Sequence, residues 1–110
     1  MQEEFKLAIS TVKKKKKKIV MCHGVFDVIH SGHIEYFKQA KSLGDILVVS
    51  VTTDKFVNKG PFRPINSTKD RINVLKNLSM IDFVIQSDHQ TAEKNIDDLK
   101  PDIYCKGPDY

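Results

Sequence analysis

The 110-residue sequence has no apolar run of the roughly 18–20 residues that a membrane-spanning helix needs. Residues 46–49 are as long a run as any. The opening, MQEEFKLAISTV, places acidic side chains where a secretory leader would be basic, and it lacks an adequate apolar centre, so export is not expected. Two cysteines, Cys22 and Cys105, are too few for a disulfide framework. Both lie in apolar, strand-like runs and are read as buried, reduced thiols of a cytoplasmic protein. CxxC and HExxH spacings are missing, and so is any internal repeat. The 40% apolar and 29% charged composition excludes wholesale disorder, and the length suits one domain.

The net charge of +4 is a local effect. Six lysines occupy residues 13–18, and without them 12 basic side chains face 14 acidic ones. A nucleic-acid-binding face would spread basic residues over a folded surface with aromatics among them. The tract has no aromatics, so it reads as a solvated linker, and no nucleic-acid partner is expected.

Residues 2–12 carry Phe5, Ala8, Ile9 and Val12 on one helical stripe. Short apolar runs at 19–22, 46–51, 83–85 and 103–105 read as strands. Helices between them are expected from Ser31 as N-cap to Gly44 as a left-handed stop, from Ser67 with Ile72, Val74, Leu75 and Leu78 inward, and over 91–99 before Pro101. The alternation β-α-β-α-β-α-β argues for a parallel sheet with helices on both faces. In such sheets ligands bind beyond the carboxyl ends of the strands. The polar segments 23–33, 52–66 and 106–110 leave those ends.

The segment His23-Gly24-Val25-Phe26-Asp27-Val28-Ile29-His30-Ser31-Gly32-His33 is the most informative. Gly24 permits close backbone approach. His30 and His33 share a helical face at a helix start, with Gly32 leaving the opening clear. Amide groups and the positive pole there suit an anion, and two imidazoles suit phosphate oxygens. Two surface histidines placed there by chance are an alternative. A metal site from Cys22, His23, His30 and His33 is another, although alternate strand residues point to opposite faces.

GVFDVIHSGH resembles the GxFDxxHxGH motif of the cytidylyltransferase-like nucleotidyltransferases. LGDILVVSVTTD follows at the spacing of that family's second strand. KGPFRPINSTKDR is similar to the KG–RP segment of its heptose enzymes, and KPDIYCKGPDY to their PD–KGGDY ending. The likeness covers about residues 19–110. It implies a Rossmann-like three-layer α/β fold, here with an extra N-terminal helix. Residues 1–18 then form a helix and lysine-rich linker, and 19–110 the nucleotidyltransferase domain. Family members continue through another strand and a Ser/Thr-rich segment. The fold is therefore expected to be incomplete at its C-terminus, as a truncated domain or the front of a longer, bifunctional polypeptide.

The resemblance implies transfer of a nucleoside monophosphate from ATP or CTP to a phosphorylated sugar or alcohol, with release of pyrophosphate and Mg²⁺ accompanying the triphosphate. A heptose-type sugar 1-phosphate is the preferred acceptor. Glycerol phosphate, phosphocholine or phosphoethanolamine, or a non-catalytic nucleotide-binding or oligomerisation role, are the alternatives. It also implies that His30, His33 and Lys59 stabilise the reacting phosphates, with Lys55 a second candidate beside Lys59. Gly24, Val25, Phe26, Gly32, Lys106, Gly107 and Asp109 are assigned to the nucleotide. Thr52, Thr53, Asp54, Arg63 and Arg71 are assigned to the substrate side. Asp27 either holds the turn or meets the ligand. His23 stands where heptose enzymes often have Asn, His89 is expected in solvent, and Pro108 replaces a glycine of the KGGDY ending. Homodimers are common in the family, so a homodimer is expected, and fusion to a sugar kinase is a further expectation.

Overall fold

Apolar residues alternate along the strands with no polar face, so both sides of the sheet must be covered. The computed structural model describes residues 3–57, 60–89 and 91–107. It contains α1 (Glu3–Lys14), β1 (Ile19–Gly24), α2 (Ser31–Ser42), β2 (Ile46–Thr52), α3 (Thr68–Lys76), β3 (Phe83–Ser87), α4 (Glu93–Leu99) and β4 (Ile103–Cys105). All strand pairs are parallel, in the order β3-β2-β1-β4. The order reverses between β1 and β4, which makes their carboxyl ends the switch point.

Side-chain alternation divides the core. Val20 and Cys22 of β1 join Leu47, Val49 and Val51 of β2 beneath Phe37 and Ala40 of α2 and Leu75 of α3. Ile19 and Met21 point the other way and meet Val48, Ile85, Ile9 of α1 and Leu99 of α4. This is the three-layer α/β arrangement expected. The stripe of α1 packs as its spacing predicts: Ile9 is buried, and the Phe5 ring meets Phe83 edge-on at 5.5 Å.

Five local expectations are corrected. The lysine tract is not a linker. Lys13 and Lys14 finish α1, and the remaining four residues turn tightly into β1. His30, not Ser31, caps α2, because its ring nitrogen reaches the Gly32 amide at 3.0 Å. Gly44 is not left-handed; Leu43 ends α2 in right-handed geometry. Glycine is needed at 44 for space, since a Cβ there would lie 2.7 Å from Val20 and 3.0 Å from the Lys18 carbonyl. Val74 faces solvent and leaves Leu75 as the fully buried apolar residue of α3, while Cys105 is only half-buried.

An aspartate precedes each of three strands and performs the same task. Asp45 donates its amide to the Lys18 carbonyl at 2.8 Å and accepts the Lys18 amide at 2.8 Å. Asp82 does this to Leu47 at 3.0 and 2.7 Å, and Asp102 to Ile19 at 2.9 and 2.7 Å. Each aspartate thus extends strand pairing by one residue using a carboxylate. Replacing Asp102 with Ala should cost about 1.5–3 kcal/mol in urea unfolding, the range for a hydrogen bond to a charged group. Replacing exposed Asp97 should cost less than about 0.5 kcal/mol.

Candidate functional site at the carboxyl ends of the strands

The chain leaving β1 reverses sharply at Phe26, whose φ of 52° is left-handed. Its ring folds back over Gly24, where a Cβ would come within 2.9 Å of it. The same ring lies edge-on to Phe37 at 5.1 Å and to His33 at 6.0 Å. Glycine at 24 and an aromatic at 26 therefore act together to seat the first turn of α2.

Asp27 fixes the next stretch. Its carboxylate accepts from the amides of Ile65 at 2.7 Å and Asn66 at 2.8 Å and from the Arg63 guanidinium at 3.1 Å. Asn66 returns a side-chain bond to the Asp27 carbonyl. Burial alone would raise this carboxyl, but the two amides and Arg63 outweigh it and hold it below its ordinary value. Of the two roles open to Asp27, holding the turn is what these contacts perform.

His30 and His33 lie with ring centroids 4.1 Å apart. The His30 Nδ1 accepts from the Gly32 amide at 3.0 Å, and the His33 Nδ1 from the His30 amide at 3.2 Å. Both Nδ1 atoms are therefore acceptors, which places the ring protons on Nε2 and makes each Nε2 a donor. The pair forms a capping box built of imidazoles. His33 is buried and His30 is exposed.

The end of β4 is brought beside this turn by Tyr36, one helical turn on from His33. Its hydroxyl donates to the Cys105 carbonyl at 2.5 Å, and its ring lies 3.3 Å from where a Gly107 side chain would begin. Burial pushes the Tyr36 hydroxyl upward and the neighbouring Cys22 thiol to about 12, so both stay protonated. Lys106 is exposed there and Gly107 half-buried.

A second cluster occupies the end of β2. Arg71 is 1% exposed, and its guanidinium donates to the carbonyls of Val25 at 2.8 Å, Thr52 at 2.6 Å and Asn66 at 3.1 Å, to the Asp54 carboxylate at 2.6 Å and to the Thr68 hydroxyl at 3.3 Å. Those contacts engage all five N–H donors of an arginine. Assigned to the substrate side, it instead turns its donors to protein, where three backbone carbonyls converge on it. Burial alone would raise Asp54, but Arg71 and Thr68 hold it below the usual carboxylate range. Thr52 and Thr53 are buried; the Thr53 hydroxyl donates to Asp88 at 3.0 Å.

The expected residues thus fall into three groups. Gly24, Phe26, His30, Gly32 and His33 gather around the start of α2, and Lys106 and Gly107 are drawn to its flank. Thr52, Thr53, Asp54 and Arg71 form the packed second cluster, joined to the first through the Val25 carbonyl. Arg63 turns to Asp27, and exposed Lys55 lies over the Phe56 ring, its Nζ 5.8 Å from the centroid. Lys59, Pro108 and Asp109 lie outside the described residues. His89 is exposed as expected. His23 is half-buried, 3.0 Å from the Ser50 hydroxyl and 3.4 Å from Thr52, and burial lowers its ring below the usual value. Among the described residues no three His, Cys, Asp or Glu side chains converge, so the metal alternative for Cys22, His23, His30 and His33 finds no support. Tyr36 and Asn66 are the residues that sequence reading missed. Neither carries a motif, and both act by reaching across to another element.

These features match a known family. Residues 21–110 fit the description "Cytidylyltransferase-like", and the chain belongs to that family. Among curated proteins it is similar to the bifunctional protein HldE of Pseudomonas savastanoi pv. phaseolicola, 44% identical over 98% of this chain. It is likewise similar to HldE of Actinobacillus succinogenes, 41% identical over 99% of this chain. The chain spans 23% of the length of each. Among solved structures it resembles the lipopolysaccharide core biosynthesis protein of Thermoplasma volcanium. The TM-score there is 0.73 and the identity 36%, covering 80% of this chain and 72% of that one.

Two predictions follow from the electrostatics. Arg71→Ala should cost about 3–5 kcal/mol, because it leaves the carbonyls of Val25, Thr52 and Asn66 without their donor, and Arg71→Lys should recover little because it lacks the planar fork. Asp27 binds its proton less readily folded than unfolded. Its stabilisation is complete above the unfolded carboxylate value near ~4 and fades as pH falls through the lower folded value. Thermal melts from pH 6 to pH 2 should therefore fall more steeply for the wild type than for Asp27→Asn.

Proposed function

We propose that this chain is a nucleotidyl-transfer domain that moves a nucleoside monophosphate from ATP or CTP to a phosphorylated sugar, with a heptose-type sugar 1-phosphate as preferred acceptor. An oxygen of the acceptor phosphate attacks the α-phosphorus in line. The bond from the α-phosphorus to the bridging oxygen breaks, and pyrophosphate leaves with that oxygen. No covalent intermediate on the protein is required, so the chain's tasks are positioning and charge stabilisation.

The observation that carries this reading is the pair of imidazoles held at 4.1 Å with both Nδ1 atoms committed to backbone amides. Both rings then stand at a helix N-terminus, where negative charge on phosphate oxygens is stabilised. Gly24, Val25 and Phe26 form the adjoining wall, and Lys106 and Gly107 stand where base and ribose are read. Lys59 and Asp109 retain the roles the family pattern gives them, neutralising phosphate and contacting the nucleotide. Arg71 and Asp27 act as positioning residues. The described side chains make no metal cage. By the family resemblance Mg²⁺ would enter with the triphosphate, and no protein step is routed through it. Because the curated relatives are about four times longer, a second domain such as a sugar kinase is proposed for the parent polypeptide.

The test is pyrophosphate release by the protein incubated with ATP or CTP and, in turn, sugar 1-phosphates and alcohol phosphates. Release with a sugar 1-phosphate is the expected result. No release with any pair overturns the proposal. His33→Ala should lower turnover by about 10²–10³ with unchanged circular dichroism, and His30→Ala should act similarly.

A further inference from the structure

The opposite end of the sheet carries a second basic concavity. It is an open surface hollow of about 400 Å³, lined by the exposed residues Lys13, Lys16, Lys17, Lys18, Lys100 and Asp102. These residues flank the amino ends of β1 and β4, so the length of β1, roughly 16 Å at about 3.3 Å per residue, separates them from the histidine pair. The geometry points to a binding site for a small, multiply charged phosphate compound, independent of the nucleotidyl-transfer reading.

Two observations set this concavity apart from a solvated charge run. First, Lys16 and Lys100 have left-handed backbones, with φ of 57° and 52°, at the ends of α1 and α4. Glycine is the usual residue at such helix ends. Here lysine occupies both, and both line the same concavity. Second, apart from Lys13, whose ammonium group serves the end of α4, the helix ends do not need these ammonium groups. Backbone amides of Lys15, Lys16 and Lys17 already satisfy the last carbonyls of α1. The Lys100 amide does so for Ile96, and Lys13 Nζ for Leu99 at 2.7 Å. Asp102 is committed to the Ile19 amide. Among the described residues, none of the five lysines has an ion pair.

The ligand class follows from the lining. Lysine is a compact point charge suited to phosphate oxygens, and five around one hollow call for several negative charges close together. No aromatic lines the concavity, so nothing is offered for a base to stack on. Its volume lies in the range of small-molecule sites.

The test is a titration of the full chain, labelled with ¹⁵N, with tripolyphosphate. Amide shifts are expected at residues 16–19 and 100–102, persisting in a His30→Ala/His33→Ala variant and weakening with salt. Lys16→Gly/Lys100→Gly removes two charges while relieving both left-handed backbones. It should bind on the order of tenfold more weakly, about 0.7 kcal/mol per exposed pair, with Tm unchanged or raised. Lys17→Ala, at an ordinary backbone position, provides a second loss of affinity. Lys15→Ala, from the same run but outside the lining, should bind like the wild type. The inference fails if shifts are confined to residues 24–33, if Lys15→Ala weakens binding as much as the lining variants do, or if duplex DNA binds more tightly than tripolyphosphate.

Discussion

The buried guanidinium of Arg71 is the constraint from which the upper end of the sheet takes its shape. It receives the carbonyls of Val25, Thr52 and Asn66, one from each of three segments that leave the strand ends. Backbone carbonyls turned inward must be satisfied, and one planar fork satisfies three of them at once. The loop after β1, the end of β2 and the approach to α3 are therefore registered to one another by a single side chain. Asp27 closes the same arrangement from the opposite side through Ile65 and Asn66. The histidine turn is built on this frame.

The architecture was readable because hydrophobic patterning is a local property. Apolar runs of three to six residues bounded by glycine, aspartate and proline mark the strands, and the stripe of Phe5, Ile9 and Val12 marks the first helix. Parallel topology follows from the room left for crossovers. The errors came where a residue's role depends on a distant partner. Ser31 is a sound N-cap by type, but a histidine one position earlier reaches the amide first. Gly44 has the composition of a helix stop, but its reason for being glycine is the proximity of Val20 and Lys18.

The site divides in the same way. The HxGH pair was legible because spacing alone puts both rings on one helical face. Arg71 was visible as a residue but not as a buried one, because five acceptors from three separate segments cannot be seen along the chain. Tyr36 was invisible for a similar reason: its hydroxyl matters only once β4 lies beside α2. The paired strand-entry aspartates at 45, 82 and 102 carry a sequence signal, an acid immediately before each apolar run, whose meaning appears only when the neighbouring strand is in register.

The imidazole capping box has a consequence for recognition. Each ring is fastened to a main-chain amide of its own helix, so its rotamer is settled when α2 forms. On the proposed reading, an incoming phosphate would meet groups already ordered, and the entropic cost of ordering two side chains would be removed from the binding step. The corollary is mechanical. Whatever tilts α2 against the sheet, through Phe37 or Tyr36, carries both rings with it, because each is bonded to the backbone at the start of that helix.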